Sequence, residues 1–417
     1  MRGFAERKDV EEVDRLLVAL CARLPAERVD LLGLVGRVLA EDVASRVDVP
    51  GFARSAMDGY ALRGEDTFGA SEYGPLEFAL IGEAYPGRAF GGRVGKDEAV
   101  RIMTGAPIPD GADAVVKAEV CEERAGRVRL HEAVAPRKNI GAVGEDIRAG
   151  EVVLRAGRRI RPQDAGLLAS IGCGEVACVR RPRVRLVITG DELLPAGATP
   201  DGVKIVDSNS VVLRALVARD GGELLPFELI PDRPALIAAA LTAGDADVVL
   251  VSGGSSVGAE DHAPRLLAES GELLFHGVSM RPSSPAGGGR IGAALVFLLP
   301  GNPVSCLCAY EFFAGPSIRA LGGRTRAWPH RRVRAVLARK LSSEVGRTDY
   351  VRVAFEGQRV APLATAGASI LSSTVRADGA VIVPRELEGM PEGAEVEVLL
   401  YDDDSPEGAP LRGAVRP

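Results

Sequence analysis

The sequence predicts a multidomain protein of α/β and β class: a doubly wound parallel-sheet domain with an N-terminal helical segment, an inserted β-rich module and a small C-terminal β-domain. Three observations carry this. Apolar runs at Val184 to Ile188, Val248 to Val251 and Leu295 to Leu299 are almost unbroken, as strands covered on both faces must be. Helical patterns alternate with them at Ser210 to Arg219, Arg233 to Leu241 and Val304 to Phe313, the βαβ order of a parallel sheet. On both sides of this block the texture changes to short alternating runs broken by Gly and Pro, as in small β-domains.

Taken in order, Val10, Val13, Leu16, Leu17 and Leu20 recur at helical spacing, so the chain opens on an amphipathic helix and not a signal peptide. Helical character is expected across residues 1–48, until Val43, Val47, Val49 and Pro50 lead into an extended segment. Residues 49–146 read as the inserted module, with strands at Leu76 to Ile81, Ala99 to Met103, Ala114 to Val116 and Val128 to Leu130. Pro162 precedes a helix at Ala165 to Ile171, and residues 147–182 join residues 1–48 in a linker subdomain that ends at the basic stretch Arg180-Arg181-Pro182-Arg183. The sheet domain then occupies residues 183–330. Residues 331–417 form the last β-domain, with runs at Val333 to Leu337, Val351 to Phe355, Ala380 to Val383 and Glu395 to Leu400.

A chain of 417 residues, 46% hydrophobic and 26% charged, can bury several cores. Its formal net charge of -6 argues against a broad nucleic-acid footprint, so an anionic ligand must find a local positive site. No stretch approaches the roughly 18 consecutive apolar residues that cross a bilayer. A cytoplasmic protein without a membrane partner is expected. The six cysteines form no Cys-x-x-Cys pair and no zinc-ligand spacing with histidine, and Cys306 and Cys308 lie in an apolar stretch; all read as reduced structural thiols.

Chemistry concentrates where strands end. Ser252-Gly253-Gly254-Ser255-Ser256-Val257-Gly258 follows an apolar strand and has no bulky side chain before Val257, so its amides can approach a phosphate closely. Glu260 and Asp261 lie just beyond, and a carboxylate beside a phosphate calls for a cation such as Mg²⁺ between them. Thr189-Gly190-Asp191-Glu192 repeats the pattern at another strand end, although such a pair alone also fits solvated charge or a helix cap. Asp207-Ser208-Asn209 reads in part as a cap for the following helix. Leu299-Pro300-Gly301-Asn302-Pro303-Val304-Ser305 frames two permissive residues between prolines, which fits a well-made turn as well as a site. Asp58 and Thr104, in the module, would ordinarily be turn residues.

Taken together, Ala56-Met57-Asp58-Gly59-Tyr60, Arg101 to Pro109, Gly144-Glu145-Asp146-Ile147, Thr189 to Leu193, Asp207-Ser208-Asn209, Ser252 to Gly258 and Leu299 to Ser305 resemble, in order, the molybdopterin molybdenumtransferase family of MoeA proteins and the gephyrin E domain. The resemblance runs over essentially the whole chain. It implies a sheet domain of molybdopterin-binding type and a homodimer whose active cleft is shared between the sheet domain of one subunit and the module of the other. The reaction it implies joins molybdate to adenylylated molybdopterin and releases AMP, with Mg²⁺ as cofactor. A molybdopterin adenylyltransferase and apo-molybdoenzymes are the implied partners.

By motif, the resemblance assigns catalytic roles to Asp58, Thr104, Asp146, Glu192, Asp261, Pro300 and Pro303, with Glu192 and Asp261 as metal ligands and Asp232 as a looser match. Ser252, Gly253, Gly254, Ser255, Gly258, Asn209, Gly301, Asn302 and Ser305 would bind the pterin nucleotide. The oxyanion end departs from the family. Where an Arg or Lys, Pro, Gly, Lys, Pro run is usual, this chain has Arg281-Pro282-Ser283-Ser284-Pro285, so Ser284 stands in place of a lysine. The following Ala286-Gly287-Gly288-Gly289 is unusually small, and Gly367-Ala368-Ser369 replaces the usual Gly-Ser. The expected consequence is weak molybdate binding, or a substitute cation such as Arg281 or Arg352, with Ser369 nearby. Two other readings stay open: a non-catalytic carrier of the pterin nucleotide, and an adenylyltransferase.

Overall fold

The computed structural model describes residues 7–253, 262–364 and 367–402. The chain divides into two compact units, one of Met1–Glu27, Gly36–Val38 and Val179–Pro417, the other of Arg28–Val35 and Leu39–Cys178.

In the first unit, helix α1 (Val10–Leu20) precedes a seven-stranded sheet. Its labelled members are β1 (Arg183–Thr189), β2 (Glu223–Leu224), β3 (Val248–Ser252), β4 (Glu272–His276), β5 (Gly287–Ile291) and β6 (Ala294–Leu299), in the order β2-β1-β3-β6-β5-β4. Leu229–Ile230 adds the seventh strand, beside β1. Strands β2, β1, β3 and β6 run parallel, while β5 and β4 form an antiparallel edge. Helices α2 (Asn209–Arg219), α3 (Pro234–Thr242), α4 (Ala263–Ser270) and α5 (Pro303–Ala309) cover both faces. Val184, Leu186, Ile188 and Leu250 pack with Leu213 of α2 and residues of α1 and α5. Val187, Val249 and Val251 point the other way, against Ile237 of α3 and Leu267 of α4. The central strands read as continuous apolar runs because both of their faces are covered.

The small residues of β5 have a packing reason. A Cβ built on Gly289 would lie 1.9 Å from the carbonyl oxygen of Glu272 in β4, and one on Gly288 would meet the Phe275 ring at 2.8 Å. Phe275 therefore occupies the volume that larger side chains on β5 would fill. After α5 the chain makes a wide π turn over Tyr310–Ala314 and continues as α6 (Gly315–Leu321). Strands β7 (Arg332–Leu337), β8 (Thr348–Glu356), β9 (Arg359–Ala364), β10 (Gly379–Val383) and β11 (Glu395–Leu400) then close on themselves, because β10 pairs back with β8. The result is a small barrel. Met280–Arg281 pairs with its β8 edge.

The second unit holds a six-stranded sheet in the order Ala114–Lys117, Gly59–Leu62, Glu98–Ile102, Leu76–Ala84, Arg127–Leu130, Cys121–Arg124. A further core gathers Leu34, Leu39, Ile147, Leu154 and Cys178 around Leu168 of the helix Pro162–Ser170.

Residues 1–48 are not helical throughout as expected: among the described residues the helix runs only over Val10–Leu20 and is followed by strands at Ala26–Asp30 and Val43–Ala44. Pro25 lacks the N–H a continuing helix needs, and the residues beyond include Gly33, Gly36 and β-branched Val29, Val35, Val38, Val43 and Val47. The basic stretch at Arg180 is also anchored: its guanidinium forks onto Asp247 at 2.8 and 2.7 Å, and Arg183 opens β1.

Candidate active site

Strands β1, β3 and β6 end at Thr189, Ser252 and Leu299, and the loops beyond them line a cleft of about 610 Å³. This is the carboxyl-end crevice where open α/β sheets bind ligands. Gly253 has φ of +101°, and a Cβ there would sit 2.1 Å from the Thr189 carbonyl oxygen, so only glycine lets the two strand ends approach. Asn209, the first residue of α2, donates its side-chain amide to Ser252 Oγ at 2.9 Å and to the Gly301 carbonyl at 2.8 Å. One buried side chain thus ties α2 to the turns after β3 and β6. Beneath it, burial pushes the Cys306 thiol up to about 12, which keeps it a protonated packing group.

Three carboxylates line this cleft: Glu192, Asp207 and Asp232. Among its described lining residues there is no lysine, arginine or histidine. The Thr189 hydroxyl donates to the Asp232 carboxylate, and the Asp232 N–H donates to Asp191 Oδ1 at 3.3 Å. A two-stranded ladder, Leu193–Leu194 with Ile205–Val206, separates Glu192 from Asp207. Asp207 is only 4% exposed. Its Oδ1 accepts the Ser210 N–H at 3.0 Å at the start of α2, while its Oδ2 is buried with no hydrogen-bond partner among the described residues. No three His, Cys, Asp or Glu side chains gather into a metal-holding group among the described residues.

A second cavity, of about 410 Å³, is predominantly basic: Arg7, Arg281, Ser284 and Arg347 line it together with one carboxylate, Glu344, which Arg347 meets at 2.7 Å. It begins one residue from the cleft, because Ser284 faces the cavity and the next residue, Pro285, lines the cleft. Pairing of Met280–Arg281 with Thr348–Asp349 sets the buried Asp349 between two arginines. Asp349 accepts from Arg281 at 2.5 Å, from Arg347 Nε at 2.9 Å and from Ser343 Oγ at 2.9 Å. Three further buried atoms, Arg281 Nε, Arg347 NH2 and Ser284 Oγ, have no partner among the described residues. Buried polar atoms are normally satisfied, so unmet donors around a basic cavity suit an anion.

Asp58 and Thr104 meet in the second unit. The Thr104 N–H and hydroxyl donate to Asp58 Oδ1 at 2.7 and 2.8 Å and hold its carboxyl below the usual range. The strand Arg54–Ser55 before Asp58 pairs with Ile140–Gly141, and the chain reaches the exposed Asp146 shortly after. The pairing is antiparallel, so Asp58 and Asp146 leave this ladder at opposite ends, and the Asp146 N–H donates to the Val49 carbonyl at 3.1 Å.

Of the expected residues, Glu192, Asn209, Ser252, Gly253, Pro300, Gly301, Asn302, Pro303 and Ser369 line the cleft, with Ser369 Oγ donating to Asn302 Oδ1 at 2.9 Å. Ser305 is buried below it, its carbonyl accepting from Ser283 Oγ at 2.8 Å. Arg281 and Ser284 line the basic cavity, whereas Arg352 is buried in β8 and lines neither space. Gly254, Ser255, Gly258 and Asp261 lie outside the described residues. Two residues escaped the sequence reading. Arg347 carried no motif, and its place in the cavity comes from the pairing of Arg281 with β8; Asp207 read as a helix cap, which hides the orphaned oxygen.

Fold and cleft define an α/β domain of the molybdopterin-binding type: residues 185–320 match the family model for a probable molybdopterin binding domain. Residues 8–172 match the MoeA N-terminal region, domains I and II, and residues 334–401 match the MoeA C-terminal region, domain IV. The chain belongs to the MoeA family, a family of enzymes of molybdenum cofactor biosynthesis. It is 33% identical to the molybdopterin molybdenumtransferase of Haemophilus influenzae over 89% of this chain and 93% of the relative. The enzyme of that name from Staphylococcus aureus is 32% identical over 95% and 96%. A crystal structure of the molybdopterin biosynthesis MoeA protein from Pyrococcus horikoshii, 32% identical, superposes with a TM-score of 0.82 over 95% of this chain and 100% of that one.

Proposed function

We propose that this enzyme joins molybdate to adenylylated molybdopterin, releasing AMP, with Mg²⁺ as its metal cofactor. The observation that carries this reading is the adjacency of two opposite environments, an acidic cleft at the strand ends and a basic cavity one residue away. A phosphoanhydride is an anion, and three carboxylates without a cation cannot receive it unaided. Hard carboxylate oxygens on Glu192 and Asp232 fit Mg²⁺, which characteristically takes one or two protein carboxylates and fills its other positions with water and substrate phosphates. When bound, the metal would supply neutralisation of charge on the phosphates. The residues present do the rest. Asn209 fixes the turns that frame the nucleotide, Pro300 and Pro303 hold the second turn rigid, and the buried Asp349 holds Arg281 and Arg347 in place for the tetrahedral oxyanion.

We also propose a homodimer in which Asp58, Thr104 and Asp146 of a second copy complete the cleft. A cytoplasmic location accords with six cysteines in the reduced form.

The deciding experiment incubates the protein with adenylylated molybdopterin, Mg²⁺ and a molybdate series, and follows AMP release together with reconstitution of an apo-molybdoenzyme. Both signals, at molybdate levels that saturate, are expected; tight binding of the nucleotide with neither signal would make the chain a carrier instead. Mixing Asp58→Asn with Glu192→Gln protein, each strongly impaired alone, tests the shared cleft. Recovered activity is expected, and none would refute the shared arrangement.

A further inference from the structure

We infer that Asp207 reads the pterin ring, accepting a hydrogen bond from the 2-amino group of the 2-amino-4-oxopyrimidine. This rests on the proposed substrate and assigns a recognition role to a residue that otherwise serves only as a cap. The geometry is specific. Oδ1 is committed to the Ser210 N–H at 3.0 Å, which pins the carboxylate, and leaves Oδ2 buried and unpartnered among the described residues at a cleft-lining position. A buried carboxylate oxygen without a donor is costly, so a ligand that brings one is strongly favoured there.

The surroundings discriminate between a ring and a cation. Ile188, Ile205 and Val206 line the cleft next to Asp207, and these apolar groups suit a flat heteroaromatic ring. A hydrated Mg²⁺ wants several oxygens, and Glu192 and Asp232 supply such donors elsewhere in the cleft. The ladder of Leu193–Leu194 with Ile205–Val206 then holds the ring-reading and metal-holding carboxylates apart.

The test uses the full-length protein, Asp207→Asn, and two fluorescent probes: a 6-substituted pterin monophosphate and the matching lumazine, whose 2-carbonyl replaces the 2-amino donor. Asparagine keeps an oxygen to cap α2 but presents N–H where Oδ2 was. Wild type is expected to bind the pterin at least about tenfold tighter than the lumazine, and Asp207→Asn to lose about ten- to a hundredfold in pterin affinity and with it the preference. The thermal midpoint should not move. Equal pterin binding by both proteins, or no ring preference in wild type, overturns the assignment and leaves the function standing if AMP release persists. Intact preference with weakened Mn²⁺ binding also overturns it, in favour of a cation ligand. Failure of wild type to bind either ring overturns this inference and the pterin substrate together.

Discussion

Two clusters of charge in the same unit are built on opposite plans. Between α2 and the π turn, Arg219 forks onto Glu311 at 2.6 and 2.9 Å and reaches Asp220 at 2.9 Å. Asp220 also accepts from Arg319 at 2.8 Å and from the Tyr310 hydroxyl at 3.0 Å. There each carboxylate has an arginine. At the strand ends, Glu192, Asp207 and Asp232 have none among the described lining residues, while in the adjoining cavity Arg281 and Arg347 share Asp349, Arg347 also meets Glu344 at 2.7 Å, and each arginine keeps a buried nitrogen without a partner among the described residues. Charges that satisfy one another hold helices together; charges left unmatched are available to a ligand. Stability and binding should therefore respond to different substitutions.

The largest effect belongs to the satisfied cluster. Asp220→Ala deprives the buried Arg319 of its carboxylate and leaves Arg219 only its fork on Glu311, and breaking a buried pair costs about 3–5 kcal/mol. Denaturant unfolding should show that loss, and an unchanged midpoint would mean that the network contributes nothing. Burial raises the Asp220 pKa, but Arg219 and Arg319 more than offset this and hold the carboxyl below its usual range. A carboxyl lowered on folding stabilises above its unfolded pKa, about 4, and loses that contribution as pH falls through the lower folded value. The acid limb of the stability curve should flatten in the variant.

Glu192→Gln inverts the pattern. The side chain is exposed at the cleft, so the unfolding midpoint should stay put while AMP release falls about a hundred- to a thousandfold, the scale of losing one charge-stabilising group, about 2.7–4 kcal/mol. The Mg²⁺ concentration for half-maximal rate should rise. A rate loss with unaltered Mg²⁺ dependence would remove Glu192 from the metal.

How much of this could be read from the chain depends on the range of each interaction. Strands β1, β3 and β6 were legible because two-sided burial writes itself into consecutive residues, and their loop motifs came with them. The N-terminal helix stops short of residue 48 because the valines beyond Leu20 suit extended chain and Pro25 cannot continue a helix. The oxyanion end was legible only as a deficit at Ser284. The compensation proposed for it, Arg347, is brought near by pairing of segments far apart in sequence, with no local pattern to announce it. The tri-glycine of β5 looked like a departure at the site, yet its explanation is Phe275 and the β4 backbone.

The basic cavity supplies the two smallest effects, and they have opposite signs. Arg347→Ala removes a charge-assisted donor and should raise the molybdate concentration for half-maximal AMP release about ten- to a hundredfold. Nucleotide affinity, set in the cleft, should not follow. Ser284→Lys adds a cation to a cavity that already holds Arg281 and Arg347 beside Asp349 and Glu344. If the two arginines have replaced the usual lysine, the third charge gains little, and the half-maximal molybdate concentration should fall by less than about tenfold, under 1.4 kcal/mol. A much larger fall would mean that the arginines do not face the oxyanion. The double variant Ser284→Lys with Arg347→Ala separates the cases, because a lysine that is redundant beside Arg347 becomes worth its full contribution once that arginine is gone.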